Sequence, residues 1–281
     1  MNVLIIGKNG QVAWELQQTC PDHIAAHSYG RNEIDITDQQ SIEQVLIQLK
    51  PAVIINASAY TAVDKAESEQ AEAYLINATA VEYLAKAASK HGIRLLHLST
   101  DFVFDGTKNT PYKVCDQTNP INVYGASKLA GELAIKTYCP ANSAIVRTSW
   151  VYSSHGNNFV KTMLCLMAEK DELNVVSDQI GSPTNANGLA KYLWQLAEQG
   201  NIEPLYHYSD LGVASWYDFA VAIQSIAFES GLLEKKIPIK PIPSSAYPTP
   251  AKRPVFSLMQ QSDVVAGKHW HILLKRTIGS F

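Results

Sequence analysis

No stretch of this chain is apolar for long. A helix crossing a bilayer needs about 20 consecutive apolar residues, and the sequence never approaches that. The first apolar run, Val3 to Ile6, is too short for a secretory leader and has no cationic lead. Cysteine is scarce: Cys20, Cys115, Cys139 and Cys165 are scattered, with no Cys-x-x-Cys pair. That argues against a disulfide framework and a thiolate zinc site, and reads as free thiols in a reducing compartment. The eight histidines show no zinc-ligand spacing, and His269 and His271 flank Trp270 in what reads as a strand or surface segment. Net charge is only −3, without a basic block, so neither nucleic acid nor a membrane is an expected partner. Internal repeats and low-complexity tracts are absent as well. A soluble, cytoplasmic globular protein is what these absences leave. With 281 residues and 46% apolar content, it can bury one large core or two modest ones.

What the chain has is an alternation of strand and helix through its first half. Asn2 to Ile6 is β-rich and ends in Gly7-Lys-Asn-Gly10-Gln-Val-Ala13, after which Trp14 to Thr19 reads as helix. Strand, glycine turn and helix form the context in which a glycine pattern signals a dinucleotide. Gly7 permits the tight turn, Gly10 lets the backbone approach a pyrophosphate at the helix N-terminus, and Ala13 still allows close packing. A second strand is expected at His23 to Ser28. Behind it stands Arg31, where an NAD site would carry an acid for the ribose hydroxyl; no carboxylate comes before Glu33 and Asp35. An arginine there suits the 2′-phosphate of NADP, so NADPH is the expected cofactor and NADH the alternative. Asp38 or Thr37 caps a helix running to Leu49. Pro51 to Asn56 reads as a buried parallel strand, followed by the small Ala57-Ser58-Ala59, across which a cofactor could lie. The expected cofactor contacts are Gly7, Asn9, Gly10, Gln11, Val12, Arg31, Asp35, Ile36, Ala57, Ser58, Ala59 and Tyr60, joined by Tyr124 and Lys128.

Ser68 to Lys90 reads as one long alanine-rich helix, Ile93 to Ser99 as a fourth strand and Ser143 to Trp150 as a fifth. This pattern predicts an α/β fold, a doubly wound parallel Rossmann sheet over residues 1–150. From 151 to 281 the composition turns polar and loop-rich. Helices are expected at Phe159 to Lys170, Gly188 to Gln199 and Ser215 to Ser230, a short strand at Leu173 to Val176, and little regular structure among the six prolines of Pro238 to Pro254. This half reads as a smaller substrate-binding lobe, some of whose segments return to the first domain.

Between the fourth and fifth strands, Tyr124 and Lys128 stand four residues apart, which on a helix puts them on one side. Pro120 closes the loop before them, and Leu129, Leu133 and Ile135 continue as an apolar face. An ammonium favours the phenolate and lowers a tyrosine pKa that is about 10 unperturbed. A tyrosine so tuned can pass a proton to or from a carbinol oxygen. Thr100 opens the loop after the fourth strand, at the carboxyl end where ligands of open α/β sheets sit. Tyr-x-x-x-Lys by itself also fits a solvated helix face; the upstream glycine turn gives it weight.

Several runs are more specific: Gly7 to Leu16, Val63 to Glu67, Ser99 to Gly106, Asn122-Val-Tyr-Gly125 with Lys128 to Glu132, Arg147 to Tyr152, Gly156 to Phe159, Asp178 to Thr184, Trp216 to Asp218 and Pro248 to Pro254. In these the chain resembles the extended short-chain dehydrogenase/reductases and, within them, the dTDP-4-dehydrorhamnose reductases, over nearly its whole length. The resemblance implies hydride transfer from NAD(P)H to C4 of a dTDP-linked 4-keto-6-deoxy-L-mannose, giving dTDP-L-rhamnose for polysaccharide synthesis. It implies Thr100, Tyr124 and Lys128 as the catalytic set. Tyr124 would give the proton, Lys128 would lower its pKa and bind the nicotinamide ribose, and Thr100 would hydrogen-bond the substrate oxygen. Asp101, Phe102, Trp150 and Arg253 would line the sugar-nucleotide site, with the Arg253 fork suited to a diphosphate. Ala13 and Phe102 depart from the glycine and tyrosine common in the family. Some members hold magnesium at a dimer contact through a glutamate that would be Glu15 here, so Mg2+ and a homodimer are further expectations. Two classes of alternative stay open. One is another nucleotide-sugar short-chain enzyme: a 4-epimerase, a dehydratase or a 4-ketoreductase of another sugar. The other is a non-catalytic NADP-binding regulatory subunit.

Overall fold

The computed structural model describes residues 1–262 and 267–281. Six strands form one parallel sheet: β1 (Asn2–Ile6), β2 (Ala25–Tyr29), β3 (Val53–Asn56), β4 (Arg94–Thr100), β5 (Ser143–Thr148) and β6 (Leu205–His207). Their order is β6-β5-β4-β3-β1-β2, and every neighbouring pair is parallel. The chain therefore leaves β1 toward one edge, then crosses back over it to build β3 to β6 on the other side. A crevice opens at such a reversal, outside the carboxyl ends of the strands.

Helices cover both faces, which is why β3 and β5 are buried at every residue. On one face α1 (Gln11–Gln18) and α6 (Ala186–Glu198) pack on Val3, Ile5, Ile55, Leu96 and Val146. On the other, α2 (Gln39–Leu49), α3 (Ala80–His91) and α4 (Val123–Tyr138) cover Leu4, Ile54, Leu95 and Ile145. A second core joins α5 (Phe159–Glu169), α7 (Trp216–Glu229) and α8 (Trp270–Ile278) through Val160, Met163, Phe219, Ile223, Trp270 and Leu274. Chain beyond residue 150 thus serves both cores, since α6 and β6 belong to the sheet. Among the described residues no helix is long and apolar enough to cross a membrane.

Several expected elements differ. The second strand begins at Ala25, because Ile24 still closes a turn onto Pro21. Trp270 opens a helix, not a strand, with His269 as its N-cap. The fifth strand stops at Thr148, and Trp150 takes a left-handed φ of 47°. The long helix from Ser68 is broken: α-helix at Gln70–Tyr74, a π-turn at Leu75–Thr79, then α3. The extra residue of a π-turn turns Asn77 inward. Its side chain accepts from Tyr60 N (2.9 Å), donates to Tyr60 O (3.1 Å) and donates to Ser127 Oγ (3.0 Å). One amide so pins the loop after β3 to α4. Of the apolar face expected on α4, Ile135 is buried and Leu129 packs against Phe104 and Tyr112, but Leu133 is exposed; Gly125, Ser127, Lys128, Gly131 and Glu132 share the inward side.

Small residues on that face let α4 sit directly on backbone. A Cβ at Gly131 would lie 2.2 Å from the Asn77 carbonyl oxygen. Alanine ordinarily stabilises a helix interior by about 1 kcal/mol over glycine, but here the clash decides the sign. Gly131→Ala is expected to destabilise the fold by about 1–3 kcal/mol and lower the thermal midpoint. A midpoint at or above wild type would show that α4 lifts off Asn77 freely.

Candidate active site

The turn after β1 is built for close approach. Gly7 has a φ of +105°, and a Cβ there would stand 2.9 Å from the backbone of Ala57 and Ser58. Only glycine brings the ends of β1 and β3 this near. Gly10 caps α1 without a side chain over its first N–H groups, leaving them and the helix dipole to an anionic ligand. Beside the turn lies a cavity of about 740 Å³. Gly7, Asn9, Gly10, Arg31, Asp35, Ile36, Ala57, Ser58 and Ala59 line it, as do Lys8, Glu33 and Thr37, which were not among the expected contacts. Five expected contacts face elsewhere or belong to the next strand end. Gln11 accepts from Asn158 (2.9 Å), Val12 is in the core, the Tyr60 phenol donates to Glu69, and Tyr124 with Lys128 stands by β4. Glu33 is already committed: it accepts from Lys8 Nζ (2.6 Å) and Gly30 N (2.9 Å), which hold its carboxyl below the usual range. Asp35 accepts from Thr37 N (2.9 Å) and Oγ1 (2.7 Å). Arg31 is exposed, and Lys8 rather than Arg31 takes the Glu33 carboxylate.

Thr100 ends β4, and α4 starts opposite it. Asn122 caps α4 by accepting from Gly125 N (2.7 Å), while Glu67 accepts from Val123 N (2.9 Å). Gly125 rests on Phe102: a Cβ would meet its carbonyl oxygen at 2.2 Å. The Phe102 ring stands edge-on to Tyr124, centroids 5.7 Å apart. Thr100 Oγ1 donates to Asp101 Oδ1 (3.1 Å) and accepts from Phe102 N (3.2 Å). Burial pushes the Tyr124 phenol up to about 12, with the Thr100 hydroxyl pulling the other way. This reverses the expected lowering by Lys128, whose ammonium points elsewhere. Lys128 Nζ donates to Leu98 O (2.7 Å) and meets His97 Nε2 at 3.3 Å. Burial draws Lys128 down to about 8, against the attraction of Glu132. A tyrosine holding its proton at neutral pH is equipped to be an acid rather than a base.

Beneath this pair lies a polar layer that sequence reasoning missed. Asn56 and His97 are register partners on β3 and β4; Ser99 and Arg147 are partners on β4 and β5. All four are buried and face α4. Arg147 grips Glu132 through Nε (2.8 Å) and Nη2 (2.6 Å), and Ser99 Oγ donates to the same carboxylate (2.6 Å). The signal was available. Two residues before each polar one, on the same strand face, stand Ile54, Leu95 and Ile145, so period-2 reading would have put Asn56, His97 and Arg147 in the core.

The four residues expected at a sugar-nucleotide site are held differently. Asp101 is buried, and burial raises its carboxyl to about 6. Its Oδ2 has no hydrogen-bond partner among the described residues; Ser257 is near enough to favour the carboxylate without bond geometry. Trp150 stacks on Trp216, centroids 3.6 Å apart, which holds its left-handed backbone. Arg253 forks onto Asp64 at 3.0 and 2.8 Å, so a diphosphate would have to compete with that carboxylate. Glu15 is fully engaged within its own chain. Its two oxygens accept from Ser153 Oγ (2.7 Å) and Asn187 Nδ2 (2.8 Å), and no group of three acidic, His or Cys side chains converges among the described residues.

A family model described as the RmlD substrate binding domain matches residues 1–278. The chain belongs to this family. It is 41% identical to the dTDP-4-dehydrorhamnose reductase of Escherichia coli (strain K12), covering 99% of this chain and 97% of that protein. Identity to the dTDP-4-dehydrorhamnose reductase of Salmonella typhimurium (strain LT2) is 44%, over 90% of this chain and 87% of that one. Among solved structures, the dTDP-4-dehydrorhamnose reductase of Bacillus anthracis in complex with NADP superposes with a TM-score of 0.94 at 36% identity, covering 100% and 99% of the two chains. Family membership accounts for the glycine turn and the α4 pair together, as parts of one reductase architecture.

The raised Asp101 pKa has a definite sign in stability. Its proton is held to about 6 in the fold, against 3.8 for the free group. The stability it contributes is full below the lower value and is lost as pH rises through the upper one. The loss is on the order of 2–3 kcal/mol. Asp101→Asn should lack this decline, so its urea midpoint should gain on wild type between those two pH values. Parallel midpoint curves would contradict the assignment. Asp210, raised by burial to about 7, has the same sign in both proteins and cancels.

Proposed function

We propose that the protein reduces the C4 keto group of dTDP-4-dehydro-6-deoxy-L-mannose to dTDP-L-rhamnose with NADPH, in nucleotide-sugar synthesis for polysaccharide. The observation that carries this reading is the half-buried Tyr124 set beside Thr100 at the strand end next to the glycine-turn cavity. Bound reduced nicotinamide supplies the hydride. The Gly7–Gly10 turn and the α1 N-terminus would hold its pyrophosphate, and Arg31 its 2′-phosphate. Glu33, which could serve a ribose hydroxyl in an NAD site, is tied to Lys8 and Gly30, which favours NADPH. Tyr124 gives its proton to the C4 oxygen as that oxygen gains charge. Thr100 orients the same oxygen, and Lys128 steadies the ribose side of the site.

In this reading the smaller core of α5, α7 and α8, with its loops, forms the substrate lobe. Asp101, Phe102 and Trp150 line the sugar side. Arg253 reaches the diphosphate by giving up part of its hold on Asp64. A cytoplasmic homodimer completes the proposal, and sedimentation velocity of the purified chain tests the dimer.

NADPH oxidation measured alongside product NMR tests the reaction: one NADPH consumed per 4-keto sugar, with C4 reduced and no other carbon inverted. Sugar conversion without net NADPH loss would replace reduction by epimerisation. Tyr124→Phe should lose about 10² to 10⁴ in kcat while keeping its fold; near wild-type turnover would remove Tyr124 from the mechanism. A charge-assisted phosphate contact is worth roughly 1.5–3 kcal/mol, about tenfold to a hundredfold. Arg31→Ala should therefore erode the preference for NADPH over NADH by that factor, mainly through KM. An unchanged preference would show that Lys8 or the backbone reads the phosphate.

A further inference from the structure

The first turn of α4 draws its hydrogen-bond partners from two places. A helix leaves its first N–H groups without partners inside it. Asn122, the cap, accepts from Gly125 N at 2.7 Å, whereas Val123 N donates to Glu67, 56 residues earlier, at 2.9 Å. No acidic residue stands in the first turn of α4, so Glu67 also supplies the negative charge that a helix N-terminus favours. Tyr124 follows directly, and the place of Val123 therefore sets the place of the phenol.

Glu67 follows a single helical turn, Val63–Ala66, and Asp64 stands in that turn. The Asp64 carboxylate goes to the proline-rich segment. It accepts from Arg253 Nη1 (3.0 Å) and Nη2 (2.8 Å) and from Ala251 N (3.2 Å). Between those two residues, the Lys252 carbonyl accepts from Asn122 Nδ2 at 2.7 Å. These contacts close a ring: Asp64 to residues 251–253, Lys252 to Asn122 at the start of α4, and Val123 through Glu67 back to the turn of Asp64. The loop after β4 seals the same segment, since a Cβ at Gly106, φ +81°, would stand 2.8 Å from Pro254 Cα. Asp64 and Arg253 are 40% and 24% exposed, and an isolated pair so wet would add little stability. Its place in a ring gives it a geometric use instead.

We infer that Asp64 and Glu67 are positioning residues for the reduction: the turn they bracket fixes the start of α4, and so Tyr124, against the segment that carries Arg253. Their role rests on the reading of Tyr124 as proton donor and Arg253 as diphosphate partner, and adds what sets the interval between the two. A misplacement of about 1 Å can cost about a hundredfold in rate, so the interval bears on turnover more than on affinity. When Arg253 turns part of its fork to a diphosphate, the bonds from Ala251 N to Asp64 and from Asn122 to Lys252 O do not use the guanidinium. They keep the segment in register with α4.

Two readouts separate the bridge from the reaction. Amide hydrogen exchange at Val123, followed by NMR, needs no turnover. Asp64→Ala removes nothing that Val123 touches, yet it should speed exchange there by about tenfold while amides of the remote helix α2 keep their wild-type rates. An unchanged Val123 rate, or equal acceleration in α2, would overturn the bridge. In turnover, Asp64→Ala and Glu67→Ala should each lower kcat about tenfold with the KM for NADPH unchanged. Glu67→Gln, which keeps an oxygen for Val123 N, should restore most of the loss. The double variant should stay about tenfold down instead of falling a hundredfold, because both changes cut one connection. A multiplicative loss, or an effect confined to KM, would contradict the positioning role. If wild type fails to reduce the 4-keto sugar, the reductase reading falls and the exchange result still decides the bridge. Should Asp64→Ala not fold, Asp64→Asn, which drops the charge at constant size, takes its place with the same expected directions.

Discussion

A carboxylate and a guanidinium with almost no access to water hold α4, which carries Tyr124 and Lys128, to the sheet. Glu132 and Arg147 are 0% and 1% exposed, and they meet through two parallel bonds with Ser99 filling a third site. Desolvating two such ions costs several kcal/mol each, which only near-ideal geometry offsets. The pair is therefore a weak source of net stability and a strong source of position. Losing one partner would strand the other, at about 3–5 kcal/mol. The helix cannot slide along the sheet or turn about its axis without breaking it.

Everything chemical on α4 inherits that register. Lys128 lies one turn before Glu132, so its Nζ is delivered to Leu98 O and His97. Tyr124 lies one turn earlier again, against Phe102 and Thr100. Gly125 and Gly131 let the helix approach the Phe102 and Asn77 carbonyls closely enough for this to happen. Asn77, turned inward by the π-turn, brings the loop of Ala57 to Tyr60 into the same frame. The cavity beside the glycine turn and the Tyr124 phenol thus stand at neighbouring strand ends because of contacts within the chain.

Much of this was legible in the sequence. The strand–glycine–helix opening and the alternation that follows give the sheet, and they place Tyr124 and Lys128 on the helix that packs against β4. The fold agrees because local patterns dominate where helices pack on continuous apolar strands. Four things were not legible. The inward face of α4 is largely polar and small, so the apolar pattern that rightly placed Ile135 also made Leu133 look buried. The π-turn at Leu75–Thr79 has no composition signature, since its cause is tertiary: Asn77 finds Tyr60 and Ser127. The direction of the Tyr124 shift was misjudged because four-residue spacing speaks of a shared side, not of where a long lysine side chain ends. Arg253 was likewise read as free for a phosphate, when Asp64, nearly two hundred residues away in sequence, already holds it.

Hydride transfer between a nicotinamide and a sugar carbon is the claim on which the roles of Thr100, Tyr124 and Lys128 depend. NADPH deuterated at nicotinamide C4, on the face the enzyme uses, tests it most directly. After turnover with dTDP-4-dehydro-6-deoxy-L-mannose, the label should sit at C4 of the product sugar, one atom per molecule, with O4 protonated from solvent. Deuterium retained on the recovered cofactor, or spread to another sugar carbon, would contradict the account.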